Sequence, residues 1–320
     1  MKISFILPAY NVEAYLERCV STLYMQDIPA EDFEVLIIND GSTDKTLEVA
    51  QAIAKKHTNV HVFSQANAGA AVARNVGLDH AQGKYVCFVD TDDFLIPYTL
   101  KSILELVEEN NLDACSYRLF SEHTYEIAPY VPKVPKHKVL TGEQALMLGE
   151  GTSLCIVLYS RDCIERNHLR LKVNGMGEDV EFNMRFYSVA QRVYATLNLC
   201  YYYVYNKQSQ TKSDSFEKFF SHLKDVAIVA QSFMEHASQP NISSTLKEYF
   251  LRRRASATIG LIQLISNNRK TLSLEQKQEL LHMMEERQLY PIRHRTLSTK
   301  SNILRLLLNQ RWILNKRIGL

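Results

Sequence analysis

Val86-Cys87-Phe88-Val89-Asp90-Thr91-Asp92-Asp93 carries an apolar run straight into three carboxylates. Four apolar residues in succession read as a strand buried on both faces, as in the interior of a parallel sheet. Open parallel sheets take their ligands just beyond the carboxyl ends of such strands. Hard cations such as Mg2+ or Mn2+ attach there through one or two carboxylates and complete their shell with phosphate and water. A divalent ion with an anion behind it is one reading of Asp90, Asp92 and Asp93. A solvated acidic turn after a strand is the other.

The same grammar repeats on both sides of this stretch. Ile3 to Leu7 is apolar apart from Ser4 and stops at Pro8, and Asn11 can then cap a helix with Leu16, Cys19, Val20 and Leu23 on one side. Phe33 to Ile38 runs into Asn39-Asp40-Gly41-Ser42-Thr43-Asp44, followed by a helical spacing of Leu47, Ala50, Ile53 and Ala54. Val60 to Phe63 predicts a third strand, Ala70 to Ala81 a helix of small residues, and Tyr85 to Val89 the fourth strand. Alternating strands and helices imply a doubly wound α/β sheet of the Rossmann-like kind.

Further along, Tyr125 to Lys138 contains Pro129, Pro132 and Pro135 without a clear period and reads as a loop. Gly175-Met176-Gly177-Glu178-Asp179 opens a helix through Tyr187, and Val193 to Tyr205 is strand-like. From Ser215 onward the periodicity is helical, broken at Pro240 and Pro291. The expected division is an α/β domain over 1–214, with halves at about 1–110 and 111–214, and an α-helical region over 215–320.

Composition narrows the setting. The net charge of +2 is unevenly spread: Glu286 is the last acidic residue, and Arg287, Arg293, Arg295, Lys300, Arg305, Arg311, Lys316 and Arg317 follow it. The six cysteines form no Cys-x-x-Cys pair and several sit in apolar runs, so they read as reduced core residues. The opening apolar run is too short for a signal peptide, and no stretch approaches the roughly 20 residues that span a bilayer. A cytoplasmic protein is expected. Nothing interleaves aromatic and basic residues as a nucleic-acid module would.

Three polar clusters each fall at the end of an expected strand: Pro8-Ala9-Tyr10-Asn11, Asp40-Gly41-Ser42 and Asp90-Thr91-Asp92-Asp93. Asp40 can accept from a nucleobase edge, with Tyr10 beside the base. Turn chemistry for Asp40 and a packing role for Tyr10 are the plainer readings. In Asn67-Ala68-Gly69-Ala70-Ala71-Val72-Ala73-Arg74-Asn75 a single Arg projects from small residues. A guanidinium matches a diphosphate in a bidentate way, although an exposed Arg on a packing helix would look the same.

Taken in order, Phe5 to Asn11, Val35 to Asp44, Asn67 to Asn75 and Val89 to Asp93 resemble the successive motifs of family 2 glycosyltransferases with the GT-A fold. The resemblance is close over about 1–110 and looser to about 210 through Gly177-Glu178-Asp179-Val180-Glu181-Phe182-Asn183. It implies a mixed GT-A sheet and inverting transfer of a sugar from a nucleotide sugar, with UDP common in the family, to a hydroxyl of a glycan or lipid-linked acceptor in surface polysaccharide synthesis. On this resemblance Pro8, Tyr10, Asp40 and Asn67 belong to the donor site and Arg74 meets the diphosphate. Asp90 and Asp92 form the Asp-x-Asp element at the ribose and at Mn2+ or Mg2+, with Asp93 a further metal ligand or support. Asp179 matches the base that takes the acceptor proton. Relatives often carry a basic residue after the tyrosine strand; Val204 stands there here, leaving Arg74 or Lys207 for the diphosphate.

The tail from Ser298 to Leu320 mixes Ile303, Leu306, Leu307, Leu308, Trp312, Leu314 and Ile318 with five basic residues. It can lie on an anionic membrane as a peripheral contact or dock on the body. Two other functions are open. A nucleotidyltransferase would bring a Gly-rich basic loop after the first strand, which Pro8-Ala9-Tyr10-Asn11 does not offer, and a non-catalytic nucleotide-sugar-binding protein would be expected to lack Asp92 or Asp179.

Overall fold

The computed structural model describes residues 1–127, 138–149, 151, 153–172, 175, 177–205, 215–296 and 298–320. Contacts group Met1–Asn174 with Phe182–Gln208 as one unit and Gly175–Glu181 with Ser209–Leu320 as the other. Gly175–Glu181 lies inside the first domain by sequence order but belongs with the second unit by contact.

The strands are β1 (Ile3–Ala9), β2 (Phe33–Asp40), β3 (Val60–Gln65), β4 (Tyr85–Phe88), β5 (Phe94–Leu95), β6 (Ala114–Ser121), β7 (Glu126–Ile127), β8 (Val157–Ser160) and β9 (Val193–Tyr203). The helices of this unit are α1 (Leu16–Leu23), α2 (Thr46–Lys56), α3 (Ala70–His80), α4 (Leu100–Glu109), α5 (Gly142–Leu148), α6 (Arg161–Arg166) and α7 (Glu178–Val189), whose first turn belongs to the second unit. One mixed sheet runs β3-β2-β1-β4-β8-β6-β9-β5, with β7 paired to β6. β1, β2, β3 and β4 are parallel, and β8 is antiparallel to β4 and β6. The chain order therefore reverses direction between β1 and β4, the switch point where a crevice opens at the carboxyl ends.

The sheet centre is apolar on both faces because β1, β2 and β4 are buried throughout or nearly so. The lone Ser4 of β1 is accommodated by donating to the buried Glu34 Oε1 at 2.6 Å and accepting from the Gly83 amide at 2.8 Å. Pro8 is tolerated in a central strand because β4 pairs β1 only at Ile3 to Ile6, so no ladder bond is lost on that side. Two expectations change. β4 ends at Phe88. Asn11 is not a helix cap: α1 starts after Tyr15, and the Asn11 carboxamide oxygen accepts from the Thr43 amide at 2.8 Å. Of the Pro-rich stretch, 128–137 lies outside the described residues, as does Lys207. All six cysteines are buried and none forms a disulfide.

The second unit adds α8 (Phe216–Ala237), α9 (Ser244–Asn267), α10 (Leu274–Glu286), α11 (Thr299–Leu308) and α12 (Arg311–Ile318). Leu223, Ala227 and Ala230 of α8 share a core with Ile259 and Ile262 of α9, Leu280 and Met284 of α10, and Leu308, Leu314 and Ile318 of the last two helices. Each large aliphatic chain buried there contributes roughly 1.5 to 3 kcal/mol. The tail thus docks on its own unit through one set of apolar side chains and leaves Ile303, Leu306, Leu307 and Trp312 exposed. No described helix is long and apolar enough to cross a membrane.

Candidate active site

The carboxyl ends of β1, β2 and β4 are tied to one another by side chains. Thr91 Oγ1 donates to the Pro8 carbonyl at 3.0 Å, joining the Asp-x-Asp turn to the end of β1 across the switch point. The loops after β1 and β2 are joined in turn: Val12 N–H donates to Thr46 Oγ1 at 2.8 Å, and Lys45 N–H to Glu13 Oε2 at 2.7 Å. Tyr10 stands exposed at this edge and Pro8 half-buried beside it.

Asp40 is buried and already bonded. Its Oδ1 accepts from Gln65 Nε2 at 2.7 Å and from the Ala68 amide at 2.8 Å, and its Oδ2 from the Gly69 amide at 2.8 Å. Asn67 Nδ2 returns a bond to the Asp40 carbonyl at 3.0 Å. Gly41, at φ +69°, is needed for this close approach: a Cβ there would lie 2.6 Å from the Asn67 backbone nitrogen. Asp40 and Asn67, both expected at the donor, so hold the loop that starts α3. Of the roughly four lone-pair positions on a carboxylate, Asp40 uses three internally and can offer a base edge the fourth.

Arg74 and Asp90 meet directly, with Nη2 to Oδ1 at 2.7 Å. Arg74 is buried, so here it grips the Asp-x-Asp turn rather than standing open to a diphosphate. Asp90 Oδ2 accepts from the Cys155 thiol at 3.2 Å, and the Arg18 guanidinium, lying over the Phe94 ring, donates to the Asp92 carbonyl at 3.0 Å. Asp90 and Asp92 are both half-buried, on the turn that leaves β4.

Asp93, expected as a metal ligand, has both oxygens engaged within the protein. Oδ1 accepts from the Val204 amide and Oδ2 from the Tyr201 hydroxyl, each at 2.8 Å, while that hydroxyl accepts from the Asp90 amide at 3.2 Å. Burial, then the neighbouring Asp90 and Asp92 charges, pushes its carboxyl up to about 8. Asp90 also has both oxygens bonded but is half-buried, whereas Asp93 is buried, so Asp93 is a brace between β9 and the turn rather than a metal ligand. Val204, where the resemblance led a basic residue to be expected, contributes through its backbone N–H. Among the described residues no three His, Cys, Asp or Glu side chains group as a metal site. The donor set at the turn is two hard carboxylates, Asp90 and Asp92. That fits an ion which draws its remaining ligands from phosphate and water, and does not fit one caged by protein.

Asp179 lies in the first turn of α7 with Glu178 and Glu181, where carboxylates are favoured by the helix dipole. Within the second unit this turn is seated on one stripe of α8. Gly175, at φ +155°, leaves room for Asp225, whose carboxylate would lie 2.5 Å from a Cβ. Glu181 Oε1 pairs with His236 Nε2 at 3.2 Å, both buried. Sequence reasoning missed Cys155, Tyr201, Arg18 and His236; the one available signal was Tyr201-Tyr202-Tyr203 on an alternating strand.

Residues 4–156 match the family model for glycosyl transferase family 2. EpsJ of Bacillus subtilis, described as an uncharacterized glycosyltransferase, is 30% identical over 242 residues, covering 73% of this chain and 70% of EpsJ. The chain belongs to glycosyltransferase family 2. Another family relative, the uncharacterized glycosyltransferase YibD of Escherichia coli, is 34% identical over 64% of this chain and 62% of its own length. The fold of this glycosyltransferase is that of Staphylococcus aureus TarS 1–349, solved with UDP-GlcNAc: the TM-score is 0.75 at 21% identity, over 100% of this chain and 89% of that one. The expected GT-A sheet is thereby confirmed.

Proposed function

We propose that this glycosyltransferase moves a sugar from a UDP-sugar to a hydroxyl of a glycan or lipid-linked acceptor of a surface polysaccharide, with inversion at the anomeric carbon. The observation that carries this is the convergence of Pro8 and Tyr10, of Asp40, and of Asp90 with Asp92 on the carboxyl ends of β1, β2 and β4, three parallel strands around the switch point. The UDP-GlcNAc bound by TarS supports uridine as the nucleoside. Tyr10 and Pro8 would flank the base, the last acceptor position of Asp40 would take its edge, and the diphosphate would lie at the Asp90 and Asp92 turn.

Asp90 and Asp92 would hold Mg2+ or Mn2+, which when bound neutralises the departing diphosphate. Arg74 keeps Asp90 aimed at that position and takes part of its charge. Asp179 removes the proton from the acceptor hydroxyl as the acceptor oxygen bonds to C1. The bond from C1 to the phosphate oxygen breaks and its electron pair leaves with UDP. A positioned carboxylate base contributes typically about 10² to 10⁴ in rate.

Two measurements test this. Donor binding is screened across nucleotide sugars with Mn2+, Mg2+ or chelator; no metal-dependent binding by any of them removes the proposal. Asp179→Asn should lower kcat by about 10² to 10⁴ with donor affinity unchanged, and retained turnover would take Asp179 out of this role. A nucleotidyltransferase would instead release pyrophosphate from a nucleoside triphosphate, so the product separates the two chemistries. A lipid-linked acceptor would have the enzyme work peripherally at the cytoplasmic face of a membrane, which the exposed apolar side chains of α11 and α12 support.

A further inference from the structure

An open cleft of about 680 Å³ lies between the end of α9 and α12, lined by Ser266, Asn267, Arg269, Lys270, Ile313, Lys316 and Arg317. Four of the seven lining residues are cations and none is acidic. Ile313, Lys316 and Arg317 share one helix face by their spacing. All four cations are exposed, and among the described residues none makes an ion pair or a side-chain hydrogen bond. Three other cations of the same unit are paired, Lys224 with Glu279, Arg252 with Glu248 and Arg311 with Glu285; what sets the four apart is that they converge on one opening. Lys277 adds a further positive charge close by, its Nζ 3.4 Å from the Gly319 carbonyl.

The carboxyl-terminal dipoles of α9 and α12 offset part of the mutual repulsion. They explain why the cluster can exist, not why four cations converge on one opening with room for a ligand. Guanidinium and ammonium groups together are a donor set for phosphate oxygens. Trp312, 68% exposed, sits one turn before the cleft's Lys316 on α12, and the preceding helix α11 exposes Ile303 at 60% and Leu306 at 59%.

We propose that this cleft seats the phosphate of an anionic lipid headgroup, while Trp312 and the exposed α11 side chains enter the interface beside it. This deepens the peripheral membrane reading and is independent of the sugar chemistry, because its test reads binding rather than turnover. A free phosphate compound offers the same oxygens without the apolar part, so Trp312 and the α11 face favour the lipid.

The full chain is sedimented with vesicles of phosphatidylcholine alone and of phosphatidylcholine mixed with phosphatidylglycerol. Binding should require the anionic lipid and fall as salt rises. At about 1 kcal/mol per basic residue near an anionic surface, K316Q/R317Q should weaken it roughly 30-fold, with an unchanged circular dichroism spectrum. K316E/R317E should weaken it further. L307E/W312E tests the apolar part: loss of binding there with none in K316Q/R317Q leaves a peripheral enzyme but overturns the headgroup site. Equal binding to both vesicle types overturns it too. In a second arm, glycerol phosphate is titrated by calorimetry; saturable binding that K316Q/R317Q abolishes, without vesicle binding, assigns the cleft to a soluble phosphate and overturns the lipid.

Discussion

The carboxyl edge of the sheet and the α9/α12 cleft are both charged surfaces, but they treat their charges in opposite ways. At the edge, Asp40 accepts three hydrogen bonds, Asp93 two, and Asp90 is held by Arg74 and Cys155. In the cleft, Arg269, Lys270, Lys316 and Arg317 pair with no carboxylate among the described residues. Charges fixed from behind by other protein groups are preorganised: they serve the fold and a ligand together, and they cannot be removed cheaply. Charges left to water contribute little to the fold and remain available to a partner. If the contrast is real, substitutions at the edge should cost stability and function together, and substitutions in the cleft should separate them.

The strongest test is Asp40→Ala, which leaves the Ala68 and Gly69 amides and the Gln65 side chain without their acceptor. Unsatisfied buried groups and lost bonds to a charged acceptor predict a destabilisation of about 3 to 5 kcal/mol, with donor binding lost, measured by urea denaturation and calorimetry. A loss below about 1 kcal/mol would mean that the edge is not preorganised as its geometry implies. Gly41→Ala probes the same turn from the backbone. Strain at positive φ and a Cβ pressed against Asn67 predict about 1 to 3 kcal/mol, with donor affinity falling in parallel.

How much of this could be read from the sequence follows from distance along the chain. The strand ends and their polar clusters were legible because each is local: an apolar run, a turn residue, a carboxylate. The family motifs added the order. What was not legible is which carboxylate faces inward. Asp93 and Asp92 are neighbours with the same local signal, yet Asp93 is committed to Tyr201 and Val204, 108 and 111 residues away. Asn11 looked like a cap, and its partner at Thr43 is 32 residues off. Arg74 looked like a free cation on a small-residue helix because its Asp90 partner lies on another element. The tail's two readings shared a sequence because it is amphipathic in both senses, docking through Leu308, Leu314 and Ile318 while exposing Ile303, Leu306, Leu307 and Trp312.

A smaller effect tests whether the second unit also contains a preorganised element. His236→Ala takes the ring from the buried Glu181 carboxylate, in the turn of α7 that carries Asp179. About 1 to 2 kcal/mol of stability should be lost. If the pair also positions Asp179, kcat should fall while donor affinity stays unchanged, and His236→Gln, which keeps a donor in reach, should recover part of the rate. Equal falls in kcat and donor affinity, unrelieved by the glutamine, would reduce the pair to packing.

The smallest effect expected is the most pointed. K316Q/R317Q removes two of the four cleft cations, and no described carboxylate loses a partner. Surface substitutions away from buried features usually stay within about 0.5 kcal/mol. The sign is set by two opposed contributions: relief of repulsion from Arg269 and Lys270 stabilises, and loss of favourable charge at the α12 carboxyl end destabilises. Both are screened by salt, so any difference from the parent chain should shrink as ionic strength rises, as read from urea midpoints at low and high salt. A loss above 1 kcal/mol that persists in salt would mean these side chains are bound into the fold. The cleft would then belong with the sheet edge, and the distinction between committed and available charge would fail at the place where it is sharpest.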